Sequence, residues 1–222
     1  MTVEETTQRG PKFRRRAEAR PDEVLDAAIA LFTERGFAQT RVEDIASRAG
    51  LSKGAVYLYF PSKEALLEGI VRRAVLPIAD SVLASLASYE GDPRFVLTGA
   101  LKLMAMKLSD EKFLAVPKLL FREVVGFPQL AAMYRREVLD RVLPAITALL
   151  KRGIDQGYLR PVDPELTIRS IVGPVMLHIA LSEVFDMQPE GGMNFDKLID
   201  NHLTILFDGL SAPPSGKIWS AS

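Results

Sequence analysis

The feature that most constrains the fold of this chain is the stretch at residues 40–60, which encodes two short helices separated by one glycine. It reads TRVEDIASRAGLSKGAVYLYF. Its first half places apolar residues at the spacing of one helical face, namely Val42, Ile45, Ala46 and Ala49. Gly50 then ends the first helix, because glycine enters the left-handed backbone region without steric cost. The stretch therefore predicts two helices joined by a tight turn.

Both short helices carry start signals. Thr40 lies three residues before Glu43, which predicts a capping box in which the Thr40 hydroxyl accepts from the Glu43 amide. Ser52 is the predicted N-cap of the second helix, which begins at Lys53. Two short helices joined by a turn of three or four residues containing glycine allow the second helix to enter the major groove of DNA.

The second helix has a predictable outer face. Val56 and Phe60 lie four residues apart and are expected to pack inward. The residues expected to contact DNA are then Ser52, Lys53, Gly54, Ala55, Tyr57 and Tyr59. Lysine reaches a phosphate or a guanine edge, and small residues let the helix backbone approach thymine methyl groups. For the two tyrosines the alternative remains that one packs inward.

The segment from about residue 24 to residue 67 resembles the DNA-binding module of the TetR/AcrR-type bacterial transcriptional regulators. The matching positions are Phe32, Gly36, Phe37, Thr40, the run VEDIASRAGLSKGAVYLYF, and PSKEAL at residues 61–66. The resemblance implies operator DNA as a partner and a second helical domain that binds a small effector and forms a homodimer. Thr40, at a helix start, and Lys63, in the first turn of the next helix, are predicted to clamp the DNA backbone.

Charge is informative only locally. The chain has 28 basic and 28 acidic residues, so a globally basic nucleic-acid binder is excluded. Residues 9–20, however, contain six basic side chains and one acidic one, and residues 1–20 are predicted to form a flexible basic arm. Arg14, Arg15 and Arg16 are expected either to enter the minor groove or to neutralise phosphates. A solvated arm without function is the alternative.

Several function classes are disfavoured by what the sequence lacks. It has no cysteine, so disulfides and thiolate metal sites are absent, as is typical of the reducing cytoplasm. Two histidines, and no glycine-rich phosphate loop or HExxH motif, argue against an enzyme, a metal site or a cofactor. The longest apolar run, residues 171–177, is shorter than a membrane span needs, and the N-terminus is charged. No membrane anchor is therefore expected.

Helical periodicity continues through the chain without convincing strand alternation, which predicts an all-α protein. A helix-turn-helix domain is predicted at residues 21–74, starting with a helix at Pro21. An effector-binding and dimerisation domain is predicted at residues 75–211, and a flexible tail at 212–222. Pro77 is expected to kink or end the connecting helix. Further helices are predicted at about residues 92–108, 111–125, 128–156, 164–187 and 195–210.

The last two of these helices suggest how the chain dimerises. Residues 168–184 are apolar nearly all round, which favours cover on two sides, one of them by a partner chain. Gly173 would permit a close helix crossing, and residues 198–210 offer a second apolar helix. A homodimer through these two helices is therefore expected, with a large monomeric core as the alternative.

Methionine distribution suggests where an effector binds, because all methionines except Met1 lie at or after Met104. Flexible thioethers suit a pocket for apolar ligands, although they also fill irregular cores. The predicted ligand contacts are Met104, Phe121, Met133, Tyr134, Met176 and His178. His178 has the alternative of a satisfied core histidine. These observations together predict a cytoplasmic, ligand-responsive transcriptional regulator that binds a pseudo-palindromic operator, and the resemblance to TetR/AcrR-type regulators implies that it is a repressor released by its effector. The alternatives are an architectural DNA-binding protein without effector and an all-helical enzyme or carrier.

Overall fold

The computed structural model describes the backbone of residues 12–87 and 89–211, and the side chains from residue 21 onward. The chain forms two compact units that divide between Ile70 and Val71, four residues before the boundary predicted from the sequence. Within the described residues the protein is helical, and the single β-bridge joins Leu159 to Ser211. The all-α prediction is thus confirmed.

The first unit contains helices α1 (Lys12–Arg35), α2 (Val42–Arg48) and α3 (Lys53–Tyr59), and the start of α4 (Lys63–Ala87). Its core consists of apolar side chains from all four helices and the turn after α1, and Val42, Ile45, Ala46 and Val56 are buried as the helical spacing predicted. The buried members are Val24, Leu25, Ala28, Leu31, Phe32, Phe37, Val42, Ile45, Ala46, Val56, Leu66, Leu67 and Ile70. Gly36 and Gly50 both have a positive φ, of 80° and 67°, so each ends a helix as predicted.

Helix α1 begins earlier than predicted. It starts at Lys12 and runs through Pro21, so the prediction of a helix starting at Pro21 was wrong. The side chains of Arg14, Arg15 and Arg16 lie outside the described ones, and residues 1–11 and 212–222 lie outside the described backbone. The predicted DNA contacts of the arm therefore stay predictions.

The predicted capping box at Thr40 was wrong. Helix α2 begins at Val42 with Arg41 as its N-cap and has no side-chain cap. The Thr40 side chain is instead buried, and its hydroxyl donates to the Gly36 carbonyl at 2.8 Å and lies 3.2 Å from the Leu31 carbonyl. Because a buried carbonyl strongly favours a partner, the hydroxyl turns back toward α1 rather than forward into α2.

The second unit contains the rest of α4 and the helices that follow it. These are α5 (Pro93–Leu108), α6 (Glu111–Glu123), α7 (Pro128–Tyr134), a π-helical segment (Arg135–Leu139), α8 (Asp140–Asp155), α9 (Pro164–Phe185) and α10 (Phe195–Leu210). Aspartate caps start α5, α6 and α9, and an asparagine cap starts α10. These side-chain caps explain why the predicted starts of these four helices agree with the structure within one residue.

Two predictions about helix continuity need correction. Helix α4 does not end near Leu76 but continues through Pro77 to Ala87. The helix predicted at residues 128–156 is interrupted by the π-helical segment. In a π-helix each backbone hydrogen bond joins residues five apart instead of four. Neither deviation is visible in apolar periodicity, because a proline or an inserted residue is tolerated when the surrounding helices hold the backbone in place.

We expect Thr40→Val to lower the free energy of unfolding of the first unit by about 1–3 kcal/mol, because the Gly36 carbonyl would lose its donor while the shape of the side chain is kept. Thr40→Ser, which keeps the hydroxyl, is the matched control and should lose less. Urea titrations followed by circular dichroism measure both. A Thr40→Val protein as stable as the parent would contradict the role assigned to this hydrogen bond.

Candidate nucleic-acid interface and effector cavity

Helix α3 is positioned by one buried side chain and one cap. Val56 is fully buried beneath it, and the Ser52 hydroxyl accepts from the Ala55 amide at 3.2 Å, which confirms the predicted N-cap. Phe60, just after the helix, packs against α4, where a Cβ on Gly69 would lie 2.9 Å from the Phe60 ring. Glycine at position 69 therefore leaves room for the Phe60 ring to pack against α4. The opposite face of α3 is exposed to solvent.

The solvent face of α3 carries the side chains predicted to contact DNA. Lys53 and Gly54 are exposed, and Ala55 is half-buried. Tyr57 and Tyr59 are 41% and 38% exposed, so the alternative in which one of the two is buried does not hold in this structure. The helix thus presents small residues at its N-terminus and two phenol rings one turn later.

Sequence reasoning missed two further candidates on this surface. Leu58 is 85% exposed, a high value for a leucine, and lies between the two tyrosines. Arg41 is exposed at the start of α2, and no ion pair of Arg41 is found among the described residues. The inward pair Val56 and Phe60 already implied that Leu58 faces outward, and an apolar side chain there suits a thymine methyl group.

Lys53 is held by a neighbouring carboxylate. Its ammonium lies 2.5 Å from Glu43 Oε1 on α2 and 5.8 Å from the centre of the Tyr57 ring. The hydrogen bond between them raises the pKa of Lys53 and lowers the pKa of Glu43, so both groups are charged at neutral pH. A phosphate or guanine that binds Lys53 must therefore compete with Glu43, a solvent-exposed partner that exchanges at little cost.

Lys63 makes contacts within the protein that the sequence did not predict. Its ammonium donates to the carbonyls of Phe37, Thr40 and Ala38 at 2.8, 3.1 and 3.3 Å, and it lies 4.4 Å from the centre of the Phe37 ring. An ammonium group has three donors, and all three are used within the protein. Lys63 thus ties α4 to the loop between α1 and α2, and a phosphate that binds it must compete with these carbonyls. The Thr40 hydroxyl is buried and bonded to Gly36, so neither side chain is presented to DNA in this structure, and both backbone contacts stay predictions.

The second unit contains a partly open apolar cavity of about 190 Å³. Its wall comes from α4 to α6, α7 with the π-helical segment, α8 and α9, and its lining includes Ile78, Leu101, Val116, Val142 and Val172. All of its lining side chains are apolar except those of Lys107 and Tyr134. Burial raises the pKa of the Tyr134 hydroxyl, so this group stays protonated and uncharged at neutral pH.

Three of the six predicted ligand contacts line this cavity. Met104, Tyr134 and Met176 do, whereas Phe121, Met133 and His178 do not. Met133 is buried and Phe121 packs against the core of the second unit, so both fill space there. Their helices were assigned correctly, but the direction in which each side chain leaves its helix depends on how neighbouring helices pack.

Neither histidine lines the cavity, and each contacts groups of the protein itself. The His178 ring packs edge-on against Phe195 with ring centres 5.5 Å apart, and desolvation lowers the pKa of His178. His202 is buried, with its Nε2 3.0 Å from the Ile171 carbonyl, and so joins α10 to α9. Within residues 21–87 and 89–211, no cluster of three or more potential metal-binding side chains occurs.

Helix α9 exposes much of its apolar surface. Leu166, Leu177 and Val184 are each more than half exposed, as is Ile205 on α10. A Cβ on Gly173 would meet nothing within 4 Å, so this part of α9 is open to close approach. By length and composition α9 also suits a membrane span, with 28% of its most apolar window buried. The expectation of no membrane anchor therefore stays a prediction.

Comparison with known proteins assigns both units. Residues 24–70 match the family model "Bacterial regulatory proteins, tetR family", and residues 88–188 match "Tetracyclin repressor-like, C-terminal domain". The chain is 32% identical over 157 residues to the HTH-type transcriptional regulator RutR of Escherichia coli strain K12, covering 69% of this chain and 71% of RutR. The chain belongs to the TetR family.

Two other members of the TetR family are similar over most of the chain. The HTH-type transcriptional repressor KstR2 of Rhodococcus jostii strain RHA1 is 29% identical over 199 residues, covering 87% of this chain and 92% of KstR2. SmeT, the repressor of the Stenotrophomonas maltophilia multidrug efflux pump SmeDEF, matches in its complex with triclosan. That structure has a TM-score of 0.75 and 26% identity, and covers 89% of this chain and 93% of SmeT. TetR-family membership makes the protein a transcriptional regulator and not an enzyme.

Lys63→Met in this TetR-family protein should reduce stability rather than phosphate binding. We expect the free energy of unfolding to fall by roughly 1–2 kcal/mol, because three carbonyls lose a charged donor. The slope of log affinity against log salt should stay within about 0.2 of the parent value, whereas loss of one phosphate contact would flatten it by about 0.9. Lys53→Met is the matched control. A slope that is flattened in Lys63→Met but not in Lys53→Met would show that Lys63 contacts a phosphate of the DNA backbone.

Leu58→Ala should weaken DNA binding without affecting the fold. The side chain is almost fully exposed in the free protein, so its removal leaves no cavity there. If Leu58 becomes buried against a base edge, its loss should cost about 1.5–3 kcal/mol of binding free energy, or about tenfold or more in affinity. Fluorescence anisotropy with labelled DNA measures this. Unchanged affinity would show that Leu58 faces solvent in the complex too.

Proposed function

We propose that this regulator is a homodimeric repressor that leaves a pseudo-palindromic operator when a small apolar effector fills the cavity of its second unit. The observation that carries the proposal is that the same chain has an exposed helix suited to reading DNA, α3, and an apolar cavity large enough for a small ligand. An architectural DNA-binding protein would have no use for such a cavity, because apolar pockets of this kind normally hold ligands.

DNA recognition by α3 is supported by what its surface offers. Lys53 supplies a charge for a phosphate or a guanine edge, Tyr57 and Tyr59 supply hydroxyl groups, and Leu58 supplies an apolar contact. The small residues Gly54 and Ala55 permit close approach of the helix backbone. A regulator that reads the chromosome in this way acts in the cytoplasm.

Dimer formation is supported by the exposed face of α9. Leu166, Gly173, Leu177 and Val184 recur at intervals of seven, four and seven residues and therefore lie along one side of the helix. Exposed apolar stripes of this length mark interaction sites in soluble proteins. The same side is suited to a second copy of α9, and α10 adds Ile205 beside it. A two-fold dimer presents two α3 helices, which matches an operator with inverted symmetry.

Release by an effector is supported by the walls of the cavity. Val75, Ile78, Ala79 and Val82 of α4 line it, and α4 begins at Lys63, which ties the helix to the α1–α2 loop. An occupant that displaces these residues bears on a helix that starts in the DNA-binding unit. SmeT and KstR2, which the chain resembles, are repressors, and SmeT forms a complex with triclosan, an observation that favours repression and an apolar effector.

The proposal is tested by selecting an operator from random DNA and then titrating an effector. The selected sequence should have inverted half-sites whose centres lie about 34–36 Å apart, or a multiple of this distance. Triclosan is the first probe. It should weaken operator binding about 5- to 150-fold, and operator DNA should weaken triclosan binding by the same factor.

Val172→Phe is the matched control, because a half-buried side chain enlarged at the cavity wall should abolish the response to the probe while leaving operator affinity unchanged. Selected DNA without inverted symmetry would overturn the dimeric reading. Equal affinity of the probe for free and operator-bound protein, measured by calorimetry, would overturn the allosteric mechanism.

A further inference from the structure

The cavity wall has one formal charge, and it lies at one end. Tyr134 is uncharged because burial keeps its hydroxyl protonated, so Lys107 is the only charged lining side chain. Lys107 is exposed, and no ion pair of Lys107 is found among the described residues. Of the carboxyl groups next to it in sequence, Asp110 accepts from the Lys112 and Phe113 amides at 2.8 and 3.2 Å, and Glu111 is exposed. The Lys107 ammonium is therefore available to a ligand.

Helix α5 gives the cavity a direction. Ala100, Met104 and Lys107 follow one another along the same side of α5 and all line the cavity. Seven residues separate Ala100 from Lys107, which corresponds to about 10 Å along a helix. One end of the cavity is thus charged, while the end at Ala100 is apolar. An occupant with a polar head and an apolar tail fits this gradient in one orientation only.

A second cavity adjoins the first one. It has a volume of about 260 Å³ and is lined by Val82, Ser85, Leu86, Val96, Gly99, Ala100 and Leu103. Val82 and Ala100 line both cavities, so the two meet at these small side chains. The first cavity, at about 190 Å³, is little larger than the roughly 150 Å³ that holds benzene. A longer molecule therefore extends beyond the first cavity, and the second cavity offers it further apolar contacts past Val82 and Ala100.

We propose that the effector is an amphipathic anion, a carboxylate on an unbranched aliphatic chain. The carboxylate pairs with Lys107, the chain runs along α5 through the first cavity, and its end passes Val82 and Ala100 into the second cavity. This inference rests on the proposed function and names the chemical class of its effector. It makes Lys107 the residue that selects the head group and Gly99 the residue that leaves room for the end of the chain.

The inference is tested on the full chain by calorimetry with octanoate, dodecanoate and 1-dodecanol, the two carboxylates below their critical micelle concentrations and the alcohol below its solubility limit. Dodecanoate should bind about fivefold tighter than 1-dodecanol, a ratio suited to one solvent-exposed ion pair. Lys107→Met, which keeps the apolar stem, should abolish this ratio. Lys151→Met is the control, because Lys151 is exposed on α8 and lies outside both cavities. An equal ratio in the parent and in Lys107→Met would overturn the role of Lys107.

Gly99→Phe tests the second cavity. Gly99 is exposed and lines the second cavity but not the first, and a Cβ there meets nothing within 4 Å, so a phenylalanine can be accommodated beside the second cavity without disturbing the first. Each buried methylene strengthens binding about fourfold, so dodecanoate should bind the parent more than a hundredfold tighter than octanoate. Gly99→Phe should reduce dodecanoate affinity toward that of octanoate and leave octanoate unchanged. If both chains bind Gly99→Phe as they bind the parent, the chain does not reach the second cavity.

Operator binding, measured on the same preparations, separates this inference from the proposed function. A protein that binds the selected operator and responds to triclosan, but binds none of the three aliphatic probes, would overturn the inference alone. A protein that binds no operator would overturn the proposed function, whatever it binds in the cavity.

Discussion

The loop between α1 and α2 leaves backbone carbonyls without helical partners, and the DNA-binding unit depends on donors supplied to them from a distance. Lys63 donates to three of these carbonyls, and the buried Thr40 hydroxyl donates to a fourth, that of Gly36. Because Lys63 opens α4, satisfying the loop also fixes where α4 starts. Helix α3 lies between α2 and α4 in the chain, so the direction of its exposed face depends on hydrogen bonds made by Thr40 and Lys63, two residues outside α3.

In the second unit the main constraint is apolar surface that the chain itself leaves uncovered. Helix α9 contributes Ile171, Val172 and Met176 to the cavity wall, and it exposes Leu177 and Val184 to solvent. Covering either the cavity wall or the exposed face of α9 removes apolar surface from water, which is favourable. The two surfaces share one helix, so the proposed effector site and the proposed dimer face both depend on the position of α9.

Two exposed lysines show how little single surface charges contribute to the stability of this protein. Lys53 pairs with Glu43 on the exposed face of α3, and Lys107 lines the cavity and has no ion pair among the described residues. Exposed pairs contribute little to folding, so neither lysine is needed to hold its helix in place. In the function proposed here, each lysine instead meets an anion from outside, a phosphate at α3 and a ligand head group at α5.

The sequence by itself determined the helices, most of their ends and the outward face of α3. These features depend on local signals, namely apolar spacing, a cap such as Ser52, and glycines such as Gly50. Only the tertiary structure decided the roles of Thr40 and Lys63, because the partners of Lys63 lie 23 to 26 residues away in sequence. The same holds for the cavity, where Met104 lines the wall and Met133 does not. Helix periodicity limits which side chains can turn inward, but only the packing of neighbouring helices decides which of them reach a cavity.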